Sequence, residues 1–181
     1  VAPSTAADAR GLLKAAIRDD DPVLFLEHKL LYRRAKEVLP EGDGVVPIGK
    51  AAVRRAGRDL TIVTYGAMVG LALDGAAELA KEGIEAEVVD LRTLLPLDEE
   101  TVLESVKRTS KALILHEDAR TLGIGAEVAA TLAEKAYEWL DAPVVRVTAP
   151  DTPVPFAPAL EAAFLPSLST LLSAARRLAA Y

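Results

Sequence analysis

The sequence contains no cysteine, which excludes a disulfide framework and any cysteine-based zinc or redox site. A reducing cytoplasm fits that absence. Histidine is nearly as scarce: only His28 and His116 are available, so there are few ways to build a Ser/His/Asp triad and none is visible. Aromatic residues make up 4% of the chain, with a single tryptophan, so alanine, leucine and valine carry the hydrophobic content. That composition suits helices packed closely on a sheet rather than an aromatic binding surface. No apolar run approaches the ~18 residues of a membrane span. Basic clusters are no longer than Arg54-Arg55 or Arg176-Arg177, and the formal net charge is −6. Neither a nucleic acid nor an anionic membrane is therefore indicated as a partner, whereas a basic protein is.

The chain has 181 residues, of which 51% are hydrophobic and 27% charged, the balance of a soluble globular protein. This length holds one main core, or one domain and a piece of another. Val1-Ala2-Pro3-Ser4 opens the chain without a methionine or a signal-peptide pattern, and the expectation is a fragment of something longer.

Thr5 and Asp8 form a capping-box variant that predicts a helix to about Arg18. Asp19-Asp20-Asp21-Pro22 ends it, and Val23–Leu26 reads as a short buried strand. From Val38 to Lys50 the punctuation by Pro40, Gly42, Gly44, Pro47 and Gly49 marks a linker. Beyond it the pattern becomes regular. Strands are predicted at Leu60–Thr64, Ala86–Val89, Ala112–Leu115 and Val144–Val147. Helices are predicted at Met68–Glu82, from Asp98 to about Arg108, at Gly125–Leu140, and from a Ser167 cap to near Ala179. Such alternation implies right-handed crossovers and a largely parallel sheet covered on both faces.

Ligands and partners of parallel sheets gather at the carboxyl ends of the strands, which singles out three loops. In Val88–Asp98, the charges of Asp90 and Arg92 read as an internal ion pair bracing the loop, with an anionic ligand as the alternative. His116-Glu117-Asp118 carries residue types suited to acid–base or metal chemistry. Consecutive side chains diverge, however, so a loop network or a partner contact is favoured. Gly123-Ile124-Gly125 resembles part of a phosphate-binding fingerprint but lacks the third glycine, which favours a tight turn with close helix packing. The orphan carbonyls and carboxylates around Asp19–Asp21 offer hard oxygen ligands for a cation, against the plainer reading of a solvated turn.

Six blocks occur in a telling order: 4–19, Phe25–Arg33, Pro47–Lys50, Thr64–Met68, Val89–Asp98 and Ala149–Phe156. Together they resemble the beta subunit of thiamine-diphosphate-dependent 2-oxo acid dehydrogenases, the decarboxylating components of the pyruvate and branched-chain complexes. The resemblance implies a three-layer αβα domain like the transketolase C-terminal domain, its mostly parallel sheet carrying one antiparallel edge strand. Val144–Val147 is the candidate for that strand. It divides the chain into residues 1–40, the last helix and strand of a pyrimidine-binding domain; 41–50, a linker; and 51–181, the transketolase C-terminal-like domain. The family's activating glutamate, stacking aromatic and active-site histidine are absent, so no catalytic residue is expected in this chain, and the isolated chain is expected to be inactive.

The resemblance further implies a parent that binds thiamine diphosphate with magnesium outside this portion. It also implies a potassium ion held by the backbone oxygens of Ala16, Ile17 and Asp19 and by Asp21. Implied partners are an alpha subunit, a second beta subunit in an α2β2 heterotetramer, and a lipoyl-acyltransferase core docked through Asp141 and the terminal carboxylate of Tyr181. Two other readings stand beside this one: a freestanding assembly module, and a transketolase-like split enzyme whose partner supplies the glutamate.

Overall fold

A computed structural model describes residues 1–39 and 41–181. The sequence-predicted boundary at Pro40 lies outside the described residues. Five strands form one sheet: β1 (Ala52–Arg55), β2 (Leu60–Thr64), β3 (Ala86–Asp90), β4 (Ala112–Ala119) and β5 (Val145–Ala149). Their spatial order is β1-β3-β2-β4-β5. The connecting helices are α3 (Met68–Lys81), α4 (Glu99–Thr109) and α5 (Ile124–Lys135), and α7 (Leu168–Ala179) closes the fold. Two short helices, α2 (Leu31–Arg34) and α6 (Pro158–Phe164), and the long α1 (Ala6–Arg18) complete the elements used below.

The sheet is three layers thick because its central strands have no solvent-facing side. Every residue of β2 and β3 is buried. Side chains alternate between faces: Leu60, Ile62, Val88, Leu113 and Leu115 pack with α3 and α7 in one core cluster. Val63, Val89 and Ile114 pack with α4 and α5 in the other. This is the near-continuous apolar character expected of a doubly covered parallel sheet.

One antiparallel edge strand is present, but it is β1 and not the segment near Val144. β1 pairs antiparallel with β3, whereas β5 runs parallel to β4. The reason lies in the connection: a helix carries the chain from β4 to β5 back across the sheet, and a helical crossover returns the chain parallel. β1 has only four residues and carries two arginines, so its apolar signal was too weak to read as a strand.

Two further expectations are corrected. Val23–Leu26 forms no strand; its backbone is tied to the distant Val1, which donates from its nitrogen to the Leu24 carbonyl (2.7 Å) and accepts from the Leu26 N–H (2.9 Å). Leu24 and Leu26 remain exposed. The helix expected to reach Leu140 stops at Lys135 and is followed by a single 3₁₀ turn, Tyr137–Trp139. Thr5 and Asp98 cap their helices as expected, and Ser167 forms a full capping box with Thr170.

Candidate functional site

The carboxyl end of β3 is occupied by the chain's own N-terminal segment. Asp90 is fully buried, accepts a 2.6 Å hydrogen bond from Ser4 Oγ and takes Arg54 Nη2 at 2.8 Å. Arg54 also pairs with Asp8, and Asp8 accepts from Arg92 Nη1 at 3.2 Å. Arg92 spans the loop further by donating to the carbonyls of Lys50 and Ala51, both at 2.9 Å. It therefore braces the loop as expected, but its ionic partner is Asp8. Asp90 contacts Arg92 only by accepting its backbone N–H and gives its carboxylate to Arg54. Burial, followed by the proximity of Arg54, pushes the Arg92 guanidinium below its ordinary pKa, while Asp90 and Asp98 oppose that shift. Asp98 carries one cap bond to Thr101 N and a second to Ala51 N, tying the linker to α4. Burial pushes the Asp98 pKa upward, but these bonds outweigh it and leave the group below the ordinary carboxylate value.

The His116 cluster behaves differently from the loop expected. β4 continues to Ala119, so His116 lies within the strand and is fully buried. Its ring stacks on Tyr65 at a centroid distance of 6.3 Å, and neither ring nitrogen has a hydrogen-bond partner among the described residues. Burial lowers its pKa; Asp118 opposes and Arg146 reinforces that effect. Burial, with Asp118 and Glu117 nearby, pushes the Tyr65 hydroxyl up to about 12. The neighbours diverge as expected: Glu117 meets His28 Nε2 at 3.1 Å, while Asp118 accepts from the Ala119 N–H. No cluster of metal-ligating side chains occurs among the described residues.

Gly123 and Gly125 explain how His116 fits beneath α5. A Cβ at Gly123 would meet the Ala119 carbonyl and the His116 ring; one at Gly125 would meet His116 and Ile114. Close packing, not an open phosphate cradle, is what these glycines serve.

The expected cation ligands lie at the C-terminal end of α1. Ala16 and Ile17 are in its last turn, where carbonyls run out of helical partners, and Asp19 is the C-cap. Asp19 Oδ1 accepts from the Asp21 N–H at 3.0 Å, which folds the two aspartates into one turn. Asp43 lies alongside α1, where Arg18 and Lys14 hold its carboxyl down at about 2.

At the amino-terminal side of the sheet, Asp141 is exposed and its N–H bonds to Ser110 O. It shares a cleft with Ala179, two residues before the exposed Tyr181. Arg58, Arg108 and Lys111 line the same cleft. Arg108 is engaged by buried Glu87, Lys111 donates to the Ala179 carbonyl, and Arg58 lies 3.8 Å from the Asp59 carboxylate, so each of the three cations has a partner.

Residues 49–171 match the model of the transketolase C-terminal domain. The chain belongs to that family.

Several relatives are beta subunits of multi-subunit enzymes. The chain is 50% identical over 98% of its length to the "Pyruvate dehydrogenase E1 component subunit beta" of Bacillus subtilis, covering 54% of that protein. It is 49% identical over its whole length to the "2-oxoisovalerate dehydrogenase subunit beta" of the same organism, covering 56%. Similarity to the acetoin:2,6-dichlorophenolindophenol oxidoreductase subunit beta of Cupriavidus necator is 51% over 98% of the chain and 52% of the relative. The chain thus spans about half the length of the curated relatives it matches. Among solved structures, the "Split gene transketolase, inactive beta4 tetramer" superposes with a TM-score of 0.79 at 30% identity, covering 99% of this chain and 56% of that one.

Of the Ser4–Asp8–Arg54–Asp90–Arg92 network, the sequence marks Asp90 and Arg92 as a brace but not Ser4, Asp8 or Arg54 as their partners.

Proposed function

We propose that this chain is the C-terminal portion of the beta subunit of a 2-oxo acid dehydrogenase. The parent decarboxylates a 2-oxo acid oxidatively and passes the acyl group to a lipoyl-acyltransferase. The observation that carries this reading is about 50% identity, over essentially the whole chain, to subunits named for pyruvate and 2-oxoisovalerate dehydrogenases. Residues 1–40 are read as the tail of a pyrimidine-binding domain, 41–50 as a linker and 51–181 as the transketolase C-terminal-like domain. Thiamine diphosphate in the parent would supply the carbanion chemistry. This chain's own residues do not fit the cofactor: the Gly123–Gly125 turn is filled by His116 and Ala119. The contribution of this portion is assembly.

Three assembly roles follow from that reading. The buried network ties α1, and with it the pyrimidine-binding part, to the sheet domain. Ala16, Ile17, Asp19 and Asp21 form a set of hard oxygen donors suited to a potassium ion. Asp141, beside the end of α7, and the Tyr181 carboxylate form the docking point for a basic module of the acyltransferase core, with an alpha subunit and a second beta subunit completing an α2β2 enzyme.

The test is to express the full-length subunit containing this chain with an alpha subunit, and to assay lipoyl acylation from pyruvate and from branched-chain 2-oxo acids. Turnover of either substrate is expected; an assembled complex inert toward both sinks the proposal. The 181-residue chain alone, given thiamine diphosphate and magnesium, is expected to be inactive. In the assembled enzyme Asp141→Lys should weaken capture of the acyltransferase without altering decarboxylation. Potassium should raise the melting temperature in a manner that Asp21→Ala abolishes. A second reading, a transketolase-like split enzyme, draws on the split-gene transketolase structure. Ketol transfer between sugar phosphates by the same complex, with no 2-oxo acid turnover, would select it.

A further inference from the structure

β5 is the terminal strand of the sheet: β4 bonds it on one side, and among the described residues no strand lies on the other. Four of its five residues are only partly buried. A groove of about 470 Å3 runs along it, with consecutive residues Val145–Pro150 forming one wall. The rest of the lining is the end of α6 at Phe164, the connector Leu165-Pro166, and α7 at Thr170 and Ala174. An edge strand facing a helix across a groove is the geometry in which an extended peptide adds to a sheet, its backbone bonding the edge and its alternate side chains entering the groove.

The charges around this groove identify the occupant. Arg120, Arg146 and Arg177 all line it. In a chain of net charge −6, none of the three is in an ion pair among the described residues. Arg120 and Arg146 instead hold each other's backbone: Arg120 Nη1 donates to Arg146 O at 3.1 Å, and Arg146 Nη1 to Arg120 O at 2.8 Å. Asp151, whose charge acts near Arg120, is occupied by two bonds from Thr121. A groove lined by three cations and no carboxylate repels a second copy of the same edge, because two-fold pairing of β5 with β5 would bring like charges together. It attracts an anionic strand.

We propose that the β5–α7 groove binds an extended acidic segment of a partner polypeptide, in which carboxylates alternate with small apolar side chains, by strand addition to β5. The carboxylates meet the arginines, and the apolar side chains rest against the Phe164–Pro166 wall. This inference is independent of the reaction assigned to the parent subunit.

Fluorescence anisotropy on the 181-residue chain tests it with three labelled octapeptides: glutamate alternating with valine, lysine alternating with valine, and glutamate alternating with proline. Proline at every second position removes half of the backbone donors available for strand addition while leaving the charge. Only the glutamate–valine peptide is expected to bind, and it should slow amide hydrogen exchange in Val145–Ala149. Arg177→Glu, on the exposed face of α7, should weaken binding roughly tenfold. Arg177→Gln should give a smaller loss, and unchanged thermal melts would verify both folds. Absence of binding, equal binding of the lysine peptide, or equal binding of the proline peptide overturns the proposal. So does concentration-dependent self-association that protects the same amides without peptide, which would assign the groove to a second copy of the chain.

Discussion

Arg54 Nη2 lies 2.8 Å from Asp90 Oδ2, joining the antiparallel edge strand to the carboxyl end of β3, and the Asp90 side chain is completely buried. The same guanidinium reaches Asp8 on α1, so a single cation bridges two carboxylates from separate segments, with Arg92 supplying the second positive charge at Asp8.

Removing that cation leaves buried charge behind. Arg54→Leu is expected to lower stability by about 3 kcal/mol or more, the usual cost of breaking a buried ion pair from one side. Asp90→Asn combined with Arg54→Leu should recover part of the loss, because Asp90 then no longer lies buried as an unpaired carboxylate, whereas Asp8 keeps Arg92. Urea denaturation of the three proteins checks this; a single-variant loss under ~1 kcal/mol, typical of an exposed pair, would contradict it.

Arg92 sits at φ 55°, in the left-handed region. Any truncation loses its bonds to Asp8, Lys50 and Ala51, but glycine tolerates this backbone and alanine does not. Arg92→Gly should therefore be more stable than Arg92→Ala by about 1 kcal/mol, the reverse of the usual order. Equal stabilities, or alanine ahead, would show that the strain is absent.

Gly125→Ala should be destabilising by about 1–3 kcal/mol, because the new methyl runs into the His116 ring in a packed interior. In a His116→Ala background the methyl keeps only its 3.1 Å approach to the Ile114 side chain, so its cost should fall by about 0.5 kcal/mol or more. A double-mutant cycle with no coupling would refute the contact.

Burial keeps His116 neutral, since its pKa lies below the ordinary value of 6.5. At higher pH neither the folded nor the unfolded chain carries this proton. As pH falls through about 6.5, the unfolded chain takes it up while the folded chain does not, so stability declines by up to about 1.4 kcal/mol per pH unit. The decline continues down to the depressed folded value. Thermal melts between pH 7 and 5 should show this slope in a His28→Gln background, where His116 is the sole histidine. His116→Gln should flatten it. A flat profile with His116 present would mean that the ring is protonated in the fold.

The sheet's middle was legible because its strands are continuous apolar runs framed by caps such as Asp98 and Ser167, local signals that need no knowledge of neighbours. β1 was not, since Ala52–Arg55 becomes a strand only by pairing with β3, which lies over 30 residues away. The reverse error occurred at Val23–Leu26, where an apolar run found no strand to pair with. In the candidate sites, residue type was readable and partnership was not. Arg92 was identified as a brace, but Asp8 stands 84 positions away and could not be named from the loop. His116 showed its chemistry in the sequence and concealed its burial, which depends on Gly123 and Gly125 leaving space above it.

The acceptor for α1 is built from Arg54 on β1, Asp90 on β3 and Arg92 just beyond, three residues that meet only once the antiparallel pair has closed. That imposes an order on folding. Helix α1 is made before its docking place exists: that place is complete only when Arg92 has been synthesised and the edge strand has turned back on its partner, so α1 must wait, and its attachment to the sheet is among the last contacts of this chain to form.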